Sequence, residues 1–246
     1  MTTDPNFDPS ALLGQIEAAT GQLLLTAAGF TGADVRAPSL LPNWSRGHVL
    51  THLARNADGG RRLLTWARTG VEAAEYDSLD ARDAEIESGA GRTADELLAD
   101  LRESAAAFAA EYRRMTPAAW AAPVRWTAGQ ERPAARAADS RLTEVLVHHV
   151  DLAAGYTPAQ WPPDFVHAML ARVVTSFTHR ADALALRLHA TDTGTRHTTA
   201  PSEPTEPTPV IQGPESALLT WLMGRSPGTG LTVEDGSALP AAPFLY

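Results

Sequence analysis

A glutamate and a histidine one helical turn apart, with a second histidine far away in the chain, constrain this sequence more than any other feature of it. Glu144, Val145, Leu146, Val147 and His148 follow in order, and side chains four apart on a helix share a face. Apolar residues surround both sites: Leu142, Val145, Leu146, Val147 and Leu152 around the pair, and Val49, Leu50 and Leu53 around His52. A carboxylate and two imidazoles on buried faces need partners, because their desolvation is otherwise expensive. Two facing helices meet that need if His52, Glu144 and His148 share one divalent cation, zinc first among the candidates. That is the protein half of a catalytic zinc site, whose fourth position stays open for water or a substrate thiol. The competing reading is a hydrogen-bonded helix histidine and a helix-spaced pair that arises by chance.

Three neighbours leave alternatives open. His48, one turn before His52, is a fourth ligand, a group behind the ligands, or a histidine near a helix start bonded to backbone. His149 points about 100° away from His148 on a helix and does not easily face the same ion. Asp151, three residues beyond His148, either orients an imidazole or is a solvated helix-end acid.

The periodicity predicts four helices before Gly155. The first starts at Ser10 as N-cap and runs through Leu12, Leu13, Ile16, Leu23 and Leu24 to Gly29. The second starts at Ser45, after a turn containing Pro42, and carries Val49, Leu50, Leu53, Leu63, Leu64 and Trp66 to Gly70. Thr93 with Glu96 is a capping-box pattern that opens a third along Leu97, Leu98, Leu101, Phe108 and Tyr112. The fourth starts near Asp139 or Ser140 and ends at Gly155. The polar stretch from Val71 to Arg92 and the Trp- and Pro-containing one from Met115 to Ala138 are expected to be loops, long enough to be walls of a site.

Beyond Gly155 the texture changes. Trp161, Pro162, Pro163 and Asp164 signal a helix start, followed by Phe165, Met169, Leu170 and Val173. From Ala183 to His189 leucines alternate, the period of a half-buried strand. A Pro-, Thr- and Glu-rich surface loop from Pro201 to Pro209 precedes a strand at Val210 and Ile211, a helix from Glu215 to Met223 and a strand from Leu231 to Val233. The expected fold class is α+β: a four-helix bundle over residues 1–157 and a smaller α/β domain over 158–246.

Composition removes several functions. A net charge of −9 without a basic block makes nucleic acid and anionic membrane poor partners. The absence of cysteine excludes disulfides, thiolate metal ligands and a cysteine nucleophile, so any thiol chemistry uses a thiol from outside. The polar segment from Met1 to Pro9 does not read as a signal peptide, and no apolar run approaches the roughly 20 residues of a membrane span. A monomeric, cytoplasmic protein is expected. All 20 basic residues are arginine and alanine is abundant, the composition of a GC-rich genome.

Three stretches together resemble one family. The run from Leu41 to Gly59, Leu-Pro-Asn-Trp-Ser-Arg-Gly-His-Val-Leu-Thr-His-Leu-Ala-Arg-Asn-Ala-Asp-Gly, is similar to the second-helix signature of mycothiol-dependent maleylpyruvate isomerases, DinB/YfiT-like metal-binding four-helix bundles. Leu142 to Leu152 and Leu218 to Ser226 match further signatures, the last of them shared with related actinobacterial proteins of other roles. The resemblance implies a DinB-like bundle with zinc on His52, Glu144 and His148. It also implies that Arg225 matches a C-terminal arginine that takes part in the reaction. Arg82, in the stretch after the second helix, is a further candidate for handling a substrate carboxylate. Mycothiol is the low-molecular-weight thiol of actinobacteria, whose genomes are GC-rich, which fits the arginine-only composition.

The implied reaction belongs to aromatic degradation. A zinc-held thiolate adds to the cis double bond of maleylpyruvate, which is conjugated to carbonyl groups; rotation and thiol expulsion then give the trans isomer, fumarylpyruvate. An arginine fork suits both a carboxylate and a developing enolate oxygen. Two alternatives remain: a mycothiol S-transferase that releases the conjugate of an electrophile, and a non-catalytic metal-binding protein of the same fold.

Overall fold

Local capping chemistry sets where the helices begin. Asp8 Oδ1 accepts from the backbone N–H of Ser10 and Ala11 at 2.9 and 3.0 Å, so α1 (Pro9–Ala28) starts at Pro9 and the expected cap, Ser10, lies inside the first turn. Proline suits that position because its missing N–H would be unpaired there anyway. Ser45 caps α3 (Arg46–Thr69) and Thr93 caps α5 (Ala94–Tyr112), each in a reciprocal box, and Gly70 ends α3 at φ 75°, where a side chain would be strained. Between α1 and α3, the short α2 (Gly32–Arg36) closes a further box between Thr31 and Asp34.

The structure, a computed structural model, describes residues 7–180, 185–199 and 208–241, and the chain divides into two compact units, Met1–Gly155 and Tyr156–Tyr246. In the first unit α1 and α3 each pack against both α5 and α7 (Ala135–Asp151), a four-helix bundle. Its core joins Leu23 and Ala27 of α1, Val49, Leu50 and Leu53 of α3, Leu97 and Leu101 of α5, and Val145 of α7. Fully burying one such leucine or valine contributes about 1.5–3 kcal/mol.

Both stretches expected to be loops hold secondary structure. Residues 71–92 contain α4 (Leu79–Ala90), which packs on α3. It buries only Ile86 and Ala90, too few apolar positions to print a helical period. Residues 115–138 contain α6 (Pro117–Ala121) and a hairpin of β1 (Pro123–Arg125) with β2 (Glu131–Pro133). Helix α7 starts at Ala135, ahead of Asp139, because its first turn is buried alanine with no side-chain cap; it stops at Asp151, short of Gly155.

In the second unit a 3-10 turn (Pro158–Gln160) leads to α8 (Pro163–Thr178), then β3 (Arg187–Ala190), β4 (Arg196–Thr198), β5 (Val210–Gly213), α9 (Glu215–Leu222) and β6 (Thr232–Val233). The sheet order is β4-β3-β5-β6: β3 pairs parallel with β5, and the outer pairs are antiparallel. Leu188 sits opposite Ile211, and Ile211 opposite Val233, all three buried. The expected strand shows its alternation in buried Leu186, Leu188 and Ala190, while Ala183 and Leu184 lie outside the described residues. Most of the loop expected from Pro201 to Pro209 lies outside them too, as do the first residues of the segment from Met1 to Pro9. β4 was not expected, since Arg196-His197-Thr198 has no apolar alternation. Among the described residues no helix is long and apolar enough to cross a membrane.

Close backbone approach fixes α4 on α3. A Cβ on Gly47 would lie 2.3 Å from Ala90 O, and one on Gly89 would lie 2.5 Å from Thr51 Cγ2. Gly47→Ala is therefore expected to push the end of α4 outward and to cost about 1–3 kcal/mol, as overpacking does. A thermal melt of the variant checks it: an unchanged Tm contradicts the contact.

Candidate metal centre

Helices α3 and α7 lie side by side, and their facing stripes bring three separated residues together. His52 Nε2 is 2.7 Å from Glu144 Oε2, and His148 Nε2 is 3.2 Å from the same oxygen. The two imidazole rings stand at 87° with centroids 4.6 Å apart. One ligand atom from each residue lies within 4.8 Å of the others, and among the described residues no other such group forms. The His52 side chain is 5% exposed and that of Glu144 26%, so the group is reached from the glutamate side.

Each neighbour has a definite place. Asp151 is fully buried and stands behind His148: Nδ1 donates to Asp151 Oδ2 at 2.8 Å, which leaves Nε2 turned to Glu144. That removes the solvated-acid alternative for Asp151. His48 is not part of the trio. Its Nδ1 accepts from the Ser45 backbone at 3.1 Å as half of the capping box, and its Nε2 lies 3.1 Å from Glu87 Oε2. His149 turns to α1, with Nε2 2.8 Å from Thr26 Oγ1. Trp44 covers the start of α3, its ring 5.6 Å from that of His52.

Arg82 belongs to α4, and its Nη2 donates to His52 Nδ1 at 3.2 Å. A residue expected on a loop thus reaches the trio from a helix. Arg225 lies in the second unit after Gly224, and its Nη1 donates to Met223 O at 2.9 Å, just beyond α9. Two further residues beside the trio carry no strong sequence signal. Arg141, three residues before Glu144 on α7, is buried and donates through Nη1 to Leu53 O and Asn56 Oδ1 of α3 at 2.8 and 2.9 Å. Its i, i+3 spacing to Glu144 was the available signal. Tyr76 is buried with its ring 6.0 Å from the Arg82 guanidinium carbon; it comes from a stretch without periodicity.

Charge in the trio follows from this packing. Burial alone would raise Glu144, but hydrogen bonds and charge from His148 and His52 hold it well below the ordinary carboxylate range. Burial lowers His52, and the adjacent Glu144 opposes this without reversing it. His148 is also disfavoured as a cation by burial, yet Asp151 and Glu144 push it up to about 9. Burial pushes Arg141 down to about 10, with Glu144 opposing. The result is an anion between two imidazoles, a donor set of one oxygen and two nitrogens.

The profile of the mycothiol maleylpyruvate isomerase N-terminal domain matches residues 16–153, more than half of the chain. The chain belongs to this family. A second profile, the MDMPI C-terminal domain, matches residues 160–244 of this family member. Two crystal structures are similar to it: a mycothiol-dependent maleylpyruvate isomerase and its H52A mutant, each 27% identical, covering 100% of both chains at a TM-score of 0.91. The substituted histidine of that mutant carries the same number as His52 here. No curated protein sequence matches significantly. Family membership and end-to-end likeness to solved isomerases thus stand beside the trio geometry.

Proposed function

We propose that this protein is a mycothiol-dependent maleylpyruvate isomerase that holds zinc on His52, Glu144 and His148 and forms fumarylpyruvate by thiol addition and elimination. One observation carries the reading: three ligand-type atoms converge in a fold shared end to end with solved isomerases. The residues suit the ion. Ligands 2.0–2.1 Å from a tetrahedral zinc lie about 3.3 Å from one another, and the two separations here, 2.7 and 3.2 Å, reach that by small shifts. Asp151 behind His148 is the carboxylate that such a site places on a ligating imidazole. Bound zinc supplies a Lewis acid that lowers the pKa of a thiol enough for thiolate chemistry at neutral pH.

The remaining work falls to the chain. Asp151 takes the Nδ1 hydrogen of His148 and so keeps its Nε2 lone pair on the ligand side. Zinc on His52 Nε2 would leave the imidazole hydrogen on Nδ1, facing Arg82 Nη2, so Nη2 would turn to another acceptor while Nη1 stays on Asp83 Oδ1 at 2.7 Å. A substrate carboxylate or enolate oxygen is that acceptor. Arg225 enters on the family match of Leu218 to Ser226 as a second donor to the substrate. The reading carries with it a monomer acting on small molecules in the cytoplasm, where low-molecular-weight thiols are kept reduced.

Purified protein assayed with maleylpyruvate is expected to turn over only when mycothiol is added, with the thiol recovered. Full turnover without thiol sinks the mechanism, and thiol consumed in proportion to product replaces isomerase by S-transferase. Asp151→Asn is expected to weaken zinc binding about 10–100-fold, read by competition with a chelating dye, while circular dichroism stays as in the parent. Arg82→Lys and Arg225→Lys are each expected to lower kcat on the order of 10²-fold at unchanged zinc content, because lysine keeps the charge and loses the fork. For Arg225 the contrary outcome, normal turnover with normal melting, assigns it to the end of α9, where a cation contributes about 0.3–1 kcal/mol.

A further inference from the structure

The trio accounts for the sulfur end of a thiol and for nothing beyond it. Mycothiol is an N-acetylcysteine joined by an amide to glucosaminyl-inositol, a neutral molecule whose bulk is two hydroxylated rings. A binding site for such rings needs flat aromatic faces for their C–H surfaces and carboxylate or guanidinium groups for their hydroxyls. The first unit has a cavity of this composition, about 510 Å³, walled by Trp66, Tyr76, Asp77, Asp80, Arg125 and Trp126. Small-ligand pockets run to about 300–1,000 Å³.

The cavity lies along the same helix stripe as the trio. His52, Gly59 and Trp66 recur every seven residues of α3, close to two turns, so they share a face with about 10 Å between successive members. Tyr76 crosses this stripe at its middle: a Cβ on Gly59 would lie 3.4 Å from Tyr76 Cζ and 3.0 Å from Glu75 Cγ. The same tyrosine ring stands 6.0 Å from the Arg82 guanidinium carbon, and Arg82 reaches His52. Tyr76 therefore borders the trio through Arg82 and is itself part of the cavity wall. The walls are tied together: Tyr76 N donates to Thr127 Oγ1 at 3.2 Å, and Thr127 N to Glu75 Oε2 at 3.1 Å.

We infer that the cavity between the 71–80 segment and the β1–β2 turn, lined by Trp66, Trp126 and Asp77, holds the two-ring polyol of the thiol whose sulfur the trio receives. This rests on the proposed use of mycothiol, and two measurements separate them. The first needs no turnover. Neutral N-acetylglucosaminyl-inositol, which lacks the thiol, is titrated into the full chain and followed by tryptophan fluorescence. Saturable binding is expected, weakened on the order of tenfold by Trp126→Ala, as loss of an aromatic face typically does, and largely restored in Trp126→Phe. Asp77→Asn, a change at an exposed side chain, is expected to weaken it at least threefold without touching the fold.

The second measurement is the ratio of kcat/KM with mycothiol to kcat/KM with N-acetylcysteine, expected to fall on the order of tenfold in Trp126→Ala. No binding of the neutral probe, or equal losses with both thiols, overturns the polyol site while leaving the isomerase reading intact. Binding that depends on Trp126 in a protein that no thiol activates keeps the polyol site and removes the isomerase reading.

Discussion

A carboxylate inside a helical bundle, flanked by two imidazoles, is the interaction around which the first unit is organised. Glu144 is held ionised by His52 and His148, and the arrangement exists only if α3 and α7 pack in one register. Arg141 fixes that register from the other direction, donating from α7 to Leu53 O and Asn56 Oδ1 on α3. A buried guanidinium and a partly buried carboxylate three residues apart on α7 each draw partners from the other helix. Polar groups of this kind add little net stability, but a slipped pairing would leave them unpaired at several kcal/mol each.

The residues of the trio and their neighbours are held with different degrees of constraint. The three ligand-type residues come from helices whose opposite faces fill the core, with Val49 and Leu53 beside His52 and Val145 beside Glu144. Asp151 stands in the last turn of α7, buried, so the imidazole it orients is fixed by packing as well as by a hydrogen bond. Preorganised groups of this sort spend no free energy on rearrangement when a substrate arrives.

How much of this was legible in the sequence depended on whether a residue sat in a periodic setting. His52, Glu144 and His148 stood out because each lies within an apolar helical stripe, where a polar group is anomalous. The four bundle helices followed from the same stripes and from Ser45 and Thr93 as caps. Helix α4 is silent in the sequence because a helix that buries two side chains has no stripe, and the start of α7 is silent because buried alanines carry no start signal. Arg82 was singled out, but its approach to His52 depends on the tertiary docking of α4. Tyr76 gave no sign, since its neighbours are an irregular polar run whose path is set by contacts with Gly59 and Thr127.

The glycine contacts beneath α4 divide the site into a fixed and an adjustable half. His52, Glu144 and His148 stand on α3 and α7, whose other side chains fill the core, so their positions are set by the bundle itself. Arg82 rides on a helix joined to the bundle chiefly by Gly47, Gly89, Ile86 and Ala90. Most of the remaining α4 side chains face outward, where substitution is cheap. A substitution there alters what approaches the trio without altering the helices that hold it.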